Sequence, residues 1–373
     1  MPIYKMNGSK DGKQKYRVVI NYQDNLGQNK QIQRVAYGSS DAKELEIKLI
    51  QDIKKQKPTA RMTVGQLYEK YIESVRHELR ETTFNKNKET LCAHVLPYFQ
   101  NTPLDKLNAP VIQNWKLEIE KKGFKIRTKQ NIYSHFRTLL NWGVRLDYIP
   151  NNILLKVGNF KSADISKKEM DFYTAEEYKR FAAAALKYAE NTAKEGMYDF
   201  YVFFSIAFYC GLRKGEIHAL KWSDIDGKYL HITRSISQKL KGKDTETPPK
   251  NKSSIRTLQM PKPLIDILSS HKERWQHAEG FSDDFRICGG ARPLRDTSVE
   301  NMNKKFAEAA GVKKIRIHDF RHSHVSLLAN NGINIQEIAR RLGHADIKMT
   351  WNTYAHLYPK EEERAVEILD KIV

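Results

Sequence analysis

Between residues 15 and 37 apolar and polar positions alternate. Tyr16, Val18, Ile20 and Tyr22 share one face of an extended chain, because successive strand side chains point to opposite sides. Asp24–Asn25–Leu26–Gly27 supplies a turn, and a second run through Ile32 and Val35 completes a hairpin. Past Ser40, a helix cap, the period lengthens to that of a helix carrying Leu45, Ile47, Leu49 and Ile50. After a basic, proline-containing linker, KKQKPTAR at 54–61, the helical period takes over. Thr63 and Gln66 form a capping box ahead of Val64, Leu67, Tyr68, Tyr71, Ile72 and Val75. Further helices are expected over 83–98, 110–122 and 127–146, with Gly123 ending one and Pro150 the last. A second linker, 156–168, leads to another capping box at Thr174 and Glu177. The remainder mixes helices with a short β region from Tyr229 to Gln259, broken by a Lys- and Pro-rich turn.

This pattern predicts a multidomain, mainly α chain. A small N-terminal β-sheet-plus-helix module with its linker occupies 1–61, a helical bundle 62–158, and a mixed, mostly-α domain with a short β-sheet 169–373, ending in a tail helix. With 373 residues, two or three domains fit a usual size of roughly 100–200 residues each, large enough to build cores without disulfides or metal. The most apolar stretch, 200–212, is too short to span a bilayer and runs into Arg213 and Lys214; it reads as a buried core helix.

Charge narrows the partners. Lys and Arg number 64 against 44 Asp and Glu, a net +20, a field that gathers polyanions. Nucleic acid is favoured, although membrane surfaces and acidic proteins would feel the same field. Residues 1–61 hold 13 basic and 6 acidic side chains, fitting equally a solvated basic face or a second DNA-binding module. The bundle carries Arg76, Arg80, Lys86, Lys88, Lys121, Lys122, Lys125, Arg127, Lys129, Arg137 and Arg145, with few acids after Lys121, which points to a DNA-facing surface. Cys92, Cys210 and Cys288 are scattered and form no CxxC pair, as expected of reduced thiols. The opening MPIYKMNGSK lacks an apolar signal segment, so the expected compartment is the cytoplasm and no membrane partner is expected.

A scattered set in the last two hundred residues makes chemical sense together. Arg213 lies in GLRKGE directly after the apolar helix; His318 and Arg321 lie one helical turn apart in HDFRH; His344 closes RLGH; Tyr354 follows ten residues later in WNTYAH. A phosphodiester accumulates charge on its non-bridging oxygens in the transition state. Guanidinium forks neutralise that charge without metal. A phenol serves as nucleophile if a histidine takes its proton. The leaving sugar hydroxyl needs a proton donor, and a lysine on a mobile turn suits that task. The phosphotyrosine ester conserves the bond energy, so no cofactor or nucleotide is expected. The His318–His322 spacing would suit a metal, but no cysteine lies nearby and HExxH is absent, so no metal site is expected.

GLRKGEI, HDFRH, RRLGH and the Tyr354 context, in this order and spacing, resemble the tyrosine recombinase (phage integrase) family. The specific motifs fall within about 170–358, and the whole chain resembles the three-part, lambda-type layout of integrases from phages, genomic islands and conjugative transposons. The resemblance implies that Arg213 and Arg321 clamp the scissile phosphate, that His318 is a general base or acid beside it, and that His344 is a second hydrogen-bond donor. It implies that Tyr354 attacks to give a 3′-phosphotyrosine and a free 5′-hydroxyl, and that Glu216 orients Arg213 without touching the phosphate. The family's lysine falls in PKNKSSIRTL, where Lys250 is the expected general acid and Lys252 its competitor. Tyr358, four residues past Tyr354, has the poorer spacing from His344; Trp351 and His356 read as packing or backbone contacts, and His322 and His324 as core residues or supports for the arginine. Implied partners are double-stranded DNA at core and arm attachment sites, three further copies in a homotetramer, a DNA-bending host factor and a small directionality factor. The apolar stripe Ala365, Val366, Ile368, Leu369 and Ile372 in the tail would pack on its own domain or on a neighbouring protomer. Rival readings are a DNA-binding regulator without activity, a type IB topoisomerase-like enzyme, and a metal-dependent nuclease, for which no acidic or HNH-like cluster is present.

Overall fold

The computed structural model describes residues 3–23, 29–55, 62–161, 170–192, 196–240, 243–248, 252–355, 366 and 369–370. The chain divides into two compact units, Met1–Ser166 and Lys167–Val373.

The first unit opens with β1 (Ile3–Lys10), β2 (Lys13–Gln23) and β3 (Asn29–Tyr37), an antiparallel sheet in the order β1-β2-β3. The hairpin expected from alternation is present: β2 and β3 pair without interruption from Lys15 opposite Tyr37 to Gln23 opposite Asn29. The expected turn at 24–27 lies outside the described residues. Strand β1 had no clear sequence signature; only Ile3 and Met6 are partly covered, and its register shifts between Lys5 and Ser9. Helix α1 (Ser39–Lys55) lays Ala42, Leu45 and Leu49 over Val18 and Ala36. Ile47 and Ile50, expected on the same stripe, are exposed. A three-stranded sheet offers a narrow face, so one helical ridge covers it and the flanking isoleucines stay wet.

The bundle comprises α2 (Val64–Val75), α3 (Glu81–His94), α4 (Leu96–Phe99), α5 (Ala109–Lys121), α6 (Ile126–Arg145) and α7 (Ile153–Val157). Both halves of the Thr63–Gln66 capping box form. The single helix expected over 83–98 is divided at Val95; Pro97 has no N–H to give to the turn before it. Trp115, Phe99 and Phe136 meet edge-on or stacked in the bundle's core. The basic face is less uniform than its sequence suggested, since Lys121 pairs with Glu118 and Lys129 with Glu120.

The second unit contains α8 (Ala175–Glu190), α9 (Tyr198–Cys210), α10 (Lys214–Ala219), β4 (Ile225–Asp226), β5 (Tyr229–Ile232), β6 (Ser235–Leu240), β7 (Lys243–Thr247), β8 (Arg256–Gln259), α11 (Lys262–Trp275), α12 (Asp296–Ala309), α13 (Ile317–Asn330), α14 (Ile335–Leu342) and α15 (Ile347–Tyr354). Strands β4-β5-β8 form one small sheet and β6-β7 a separate ribbon. Helix α9 is the apolar segment, buried from Asp199 to Phe208, and α8, α11 and α13 surround it. Phe181, Phe204, Phe306 and Phe320 interlock against these helices. A smaller cluster, Val325, Ala329, Ile338, Leu342 and Tyr354, joins α13, α14 and α15. Among the described residues no helix is long and apolar enough to cross a membrane.

Candidate active site

The end of α9 fixes the first part of the site. Gly211 takes φ +62°, and a Cβ there would stand 2.7 Å from the His324 ring, so the turn requires glycine twice over, for its left-handed backbone and for the close approach. Two residues later Arg213 precedes α10, and Glu216 comes one turn on. The Glu216 carboxylate accepts from the Arg213 backbone N–H at 3.0 Å and from its Nη1 at 2.8 Å. Across the fold, Arg256 of β8 donates to the same carboxylate through Nη2 at 2.9 Å and through Nε to the Arg341 carbonyl at 2.7 Å. Burial alone would lift the Glu216 carboxyl, but Arg256 and then Arg213 hold it down to about 2. It is therefore a fixed anion locking two guanidiniums. Arg256 was not singled out in the sequence, because an arginine on a short strand looks like any solvated cation until its partner is known.

Helix α13 supplies the second part. His318 stands exposed in its first turn, edge-on to His322 with ring centroids 5.0 Å apart. Arg321 is 2% exposed, and donates to the Gly211 carbonyl at 2.9 Å, the Leu342 carbonyl at 2.7 Å and His344 Nε2 at 2.9 Å. Burial, then the charge of Arg213, presses its guanidinium down to about 9, still protonated at neutral pH. A guanidinium cannot accept, so His344 Nε2 is the acceptor and its Nδ1–H donates to Thr350 Oγ1 at 2.7 Å. Burial, then Arg321, lowers His344 to about 4, which matches this neutral tautomer.

The third part is Tyr354, the last residue of α15. Its ring is 2% exposed, and its Oη lies 2.6 Å from His322 Nδ1. Burial raises the phenol to about 12, against the opposing charges of Arg321 and Arg213. Burial, then His318, lowers His322 to about 4. The pair is thus a neutral phenol on a neutral imidazole. Behind it, the fully buried Asp319 has Oδ1 3.8 Å from His322 Nε2, while Arg316 holds that carboxylate with Nη2 at 2.7 Å.

Arg213 and Glu216 are therefore joined, as are Arg321 and His344, and Tyr354 is reached from α13 through His322 rather than through His318. His322 is buried as a core residue would be, but its ring nitrogen is committed to Tyr354. His324, also buried, bonds the Phe208 carbonyl at 2.8 Å and serves the core. Trp351 is exposed on α15. Lys250, His356 and Tyr358 lie outside the described residues, and Lys252 opens the turn Lys252–Ser254 before β8. The tail stripe is mostly outside them too; Val366 and Leu369, which are described, are exposed.

Residues 171–361 match the model of the phage integrase family, and residues 63–118 that of the phage integrase N-terminal SAM-like domain. The chain is similar to the ICEBs1 integrase of Bacillus subtilis (strain 168), 27% identical with 97% of this chain and 98% of that protein covered. Its fold is similar to a Tn1549 transposon integrase fragment in complex with a circular intermediate DNA, TM-score 0.66 at 18% identity, over 84% of this chain and all of that one. It is also similar to lambda integrase in a tetramer bound to a Holliday junction, TM-score 0.56 at 16% identity, over 97% of this chain and 95% of that one. With more than half of its length under the family model, and the arginines, histidines and tyrosine of the motif gathered on adjoining helices, this chain belongs to the phage integrase family, the tyrosine site-specific DNA recombinases.

Proposed function

We propose that this recombinase integrates and excises a mobile element, cutting and rejoining strands at paired attachment sites through Tyr354. The observation that carries the proposal is the convergence on one helix, α13, of a buried charged Arg321 bonded to His344 and of the Tyr354 hydroxyl bonded to His322. Arg213, 37% exposed at its side chain, and Arg321 take the non-bridging oxygens of the scissile phosphate. Glu216 aims Arg213. Tyr354 Oη attacks phosphorus, forming a 3′-phosphotyrosine as the bond to the 5′ oxygen breaks, and Lys250, or Lys252, protonates that oxygen. His318 exchanges a proton beside the phosphate. His344, released when Arg321 turns to the phosphate, gives it a second hydrogen bond by taking the tautomer with its proton on Nε2, the Thr350 hydroxyl then donating to Nδ1. Religation runs the same steps backwards, without nucleotide or metal.

Two arginines in the metal's role predict undiminished covalent cleavage of site DNA in excess EDTA. Arg213→Ala or Arg321→Ala should lower the cleavage rate on the order of 10²–10³-fold or more. Activity lost on chelation and restored by Mg²⁺ would contradict the proposal. Two-site recombination measured against plasmid relaxation distinguishes it from a topoisomerase, and the absence of any covalent DNA complex would point to a regulator.

In this proposal residues 1–61 bind arm-type sites, 62–158 the core site, and 169–373 carry out catalysis. The partner is double-stranded DNA, held by a homotetramer in the cytoplasm with a host bending factor and a directionality factor; the DNA-bound Tn1549 fragment and the lambda tetramer support the first two. A fragment starting near Thr63 should still bind the core site. On full attachment-site DNA it should show a shallower fall of affinity with salt, because each lost phosphate contact removes about one unit of slope. An unchanged slope would assign residues 1–61 another task.

A further inference from the structure

We propose that His322 is the catalytic base that takes the proton of Tyr354 as the phenol attacks, with Asp319 as the carboxylate that orients it. This rests on Tyr354 being the nucleophile. Among the described residues His322 is the hydrogen-bond partner of the Tyr354 hydroxyl, at 2.6 Å, within the range that proton transfer requires. The ring's other nitrogen faces Asp319 Oδ1 at 3.8 Å, which favours the tautomer with its proton on Nε2 and leaves Nδ1 free to accept. Nucleophile and base are thus hydrogen-bonded, with a carboxylate at ion-pair distance on the far side of the ring, the kind of arrangement that activates a weak hydroxyl. His318, the other candidate, is exposed one turn earlier on the same helix, where it can hydrogen-bond a phosphate entering from solvent, and the proton exchange proposed for it passes to His322.

The proton balance closes. The Oη–phosphorus bond forms, the phosphorus–5′ oxygen bond breaks, the phenol proton moves to His322 Nδ1, and the lysine proton goes to the leaving oxygen. Religation returns both. Before DNA arrives the buried pair is held uncharged: His322 is flanked by His318, Arg316 and Arg321, whose charges oppose its protonation, and by Asp319, which favours it. On α15 it faces Tyr354. An incoming phosphodiester adds a negative charge that favours the imidazolium and offsets the arginines.

The test uses the full chain, a nicked suicide substrate and its 5′-bridging phosphorothiolate analogue. The thiolate is a far weaker base than an alkoxide and leaves without an acid's help. His322→Asn, which keeps a hydrogen-bonding atom near the Nδ1 position but cannot take the proton, should bind DNA as tightly as wild type. It should form covalent complex on the order of 10²–10⁴-fold more slowly on both substrates, and imidazole should partly restore His322→Ala. Attachment by His322→Asn within threefold of wild type, rescue of it by the phosphorothiolate, or failure of imidazole to restore a His322→Ala chain that still binds DNA would each overturn the assignment. Tyr354→Phe separates the two levels. Attachment persisting in Tyr354→Phe overturns the nucleophile and this base together; attachment lost there but intact in His322→Asn overturns only the base.

Discussion

A Tyr354→Phe chain should fold, bind its site DNA with unchanged affinity and form no covalent DNA complex. The substitution removes one oxygen from a ring that is otherwise packed against Val325, Ala329, Ile338 and Leu342. The lost hydrogen bond to His322 costs about 1 kcal/mol of stability, too little to unfold a domain of this size. The proposed chemistry, by contrast, loses its attacking atom. Covalent attachment on a nicked suicide substrate should fall on the order of 10⁴-fold or more. Denaturing electrophoresis of the protein–DNA mixture checks this directly. A Tyr354→Phe protein that still becomes attached would transfer the role to another hydroxyl, with Tyr358 next in line.

Glu216→Gln should produce the largest loss of stability of any conservative change in the site. The amide keeps the shape but not the charge, and leaves Arg256, whose side chain is 5% exposed, facing a neutral group. Breaking a buried ion pair from one side costs about 3–5 kcal/mol. A carboxyl moved from its ordinary 4.5 to about 2 corresponds to about 3 kcal/mol. The sign follows from the direction of that shift. Because the folded carboxyl is depressed, its contribution is complete above about pH 4.5 and is lost as pH falls from there towards 2. Urea unfolding of wild type and Glu216→Gln should therefore differ by that amount at pH 7 and converge near pH 2. A difference below about 1 kcal/mol at pH 7 would mean that water reaches the carboxylate and screens the pair. Cleavage should slow as well, since Arg213 loses the partner that aims it.

Local chemistry was legible in the chain itself. Thr63 and Thr174 closed their capping boxes as the spacing required, because a cap involves residues three apart and little else. The apolar run became the buried α9, since no other placement removes so much apolar surface from water. The candidate residues Arg213, Glu216, His318, Arg321, His344 and Tyr354 were picked out from their identities, spacing and family resemblance. Their partners were not. Arg321 meets the Gly211 carbonyl across 110 positions and Tyr354 meets His322 across 32; such pairings depend on how α9, α13 and α15 pack, and no period in the sequence encodes them. The same holds for Arg256 on Glu216, for β1 joining a sheet through its backbone rather than an apolar face, and for Ile47 left exposed. What a residue is chemically could be read from the chain, but which atom it faces was decided by the packing of helices distant in sequence, where burial fixes both the partner and the protonation state.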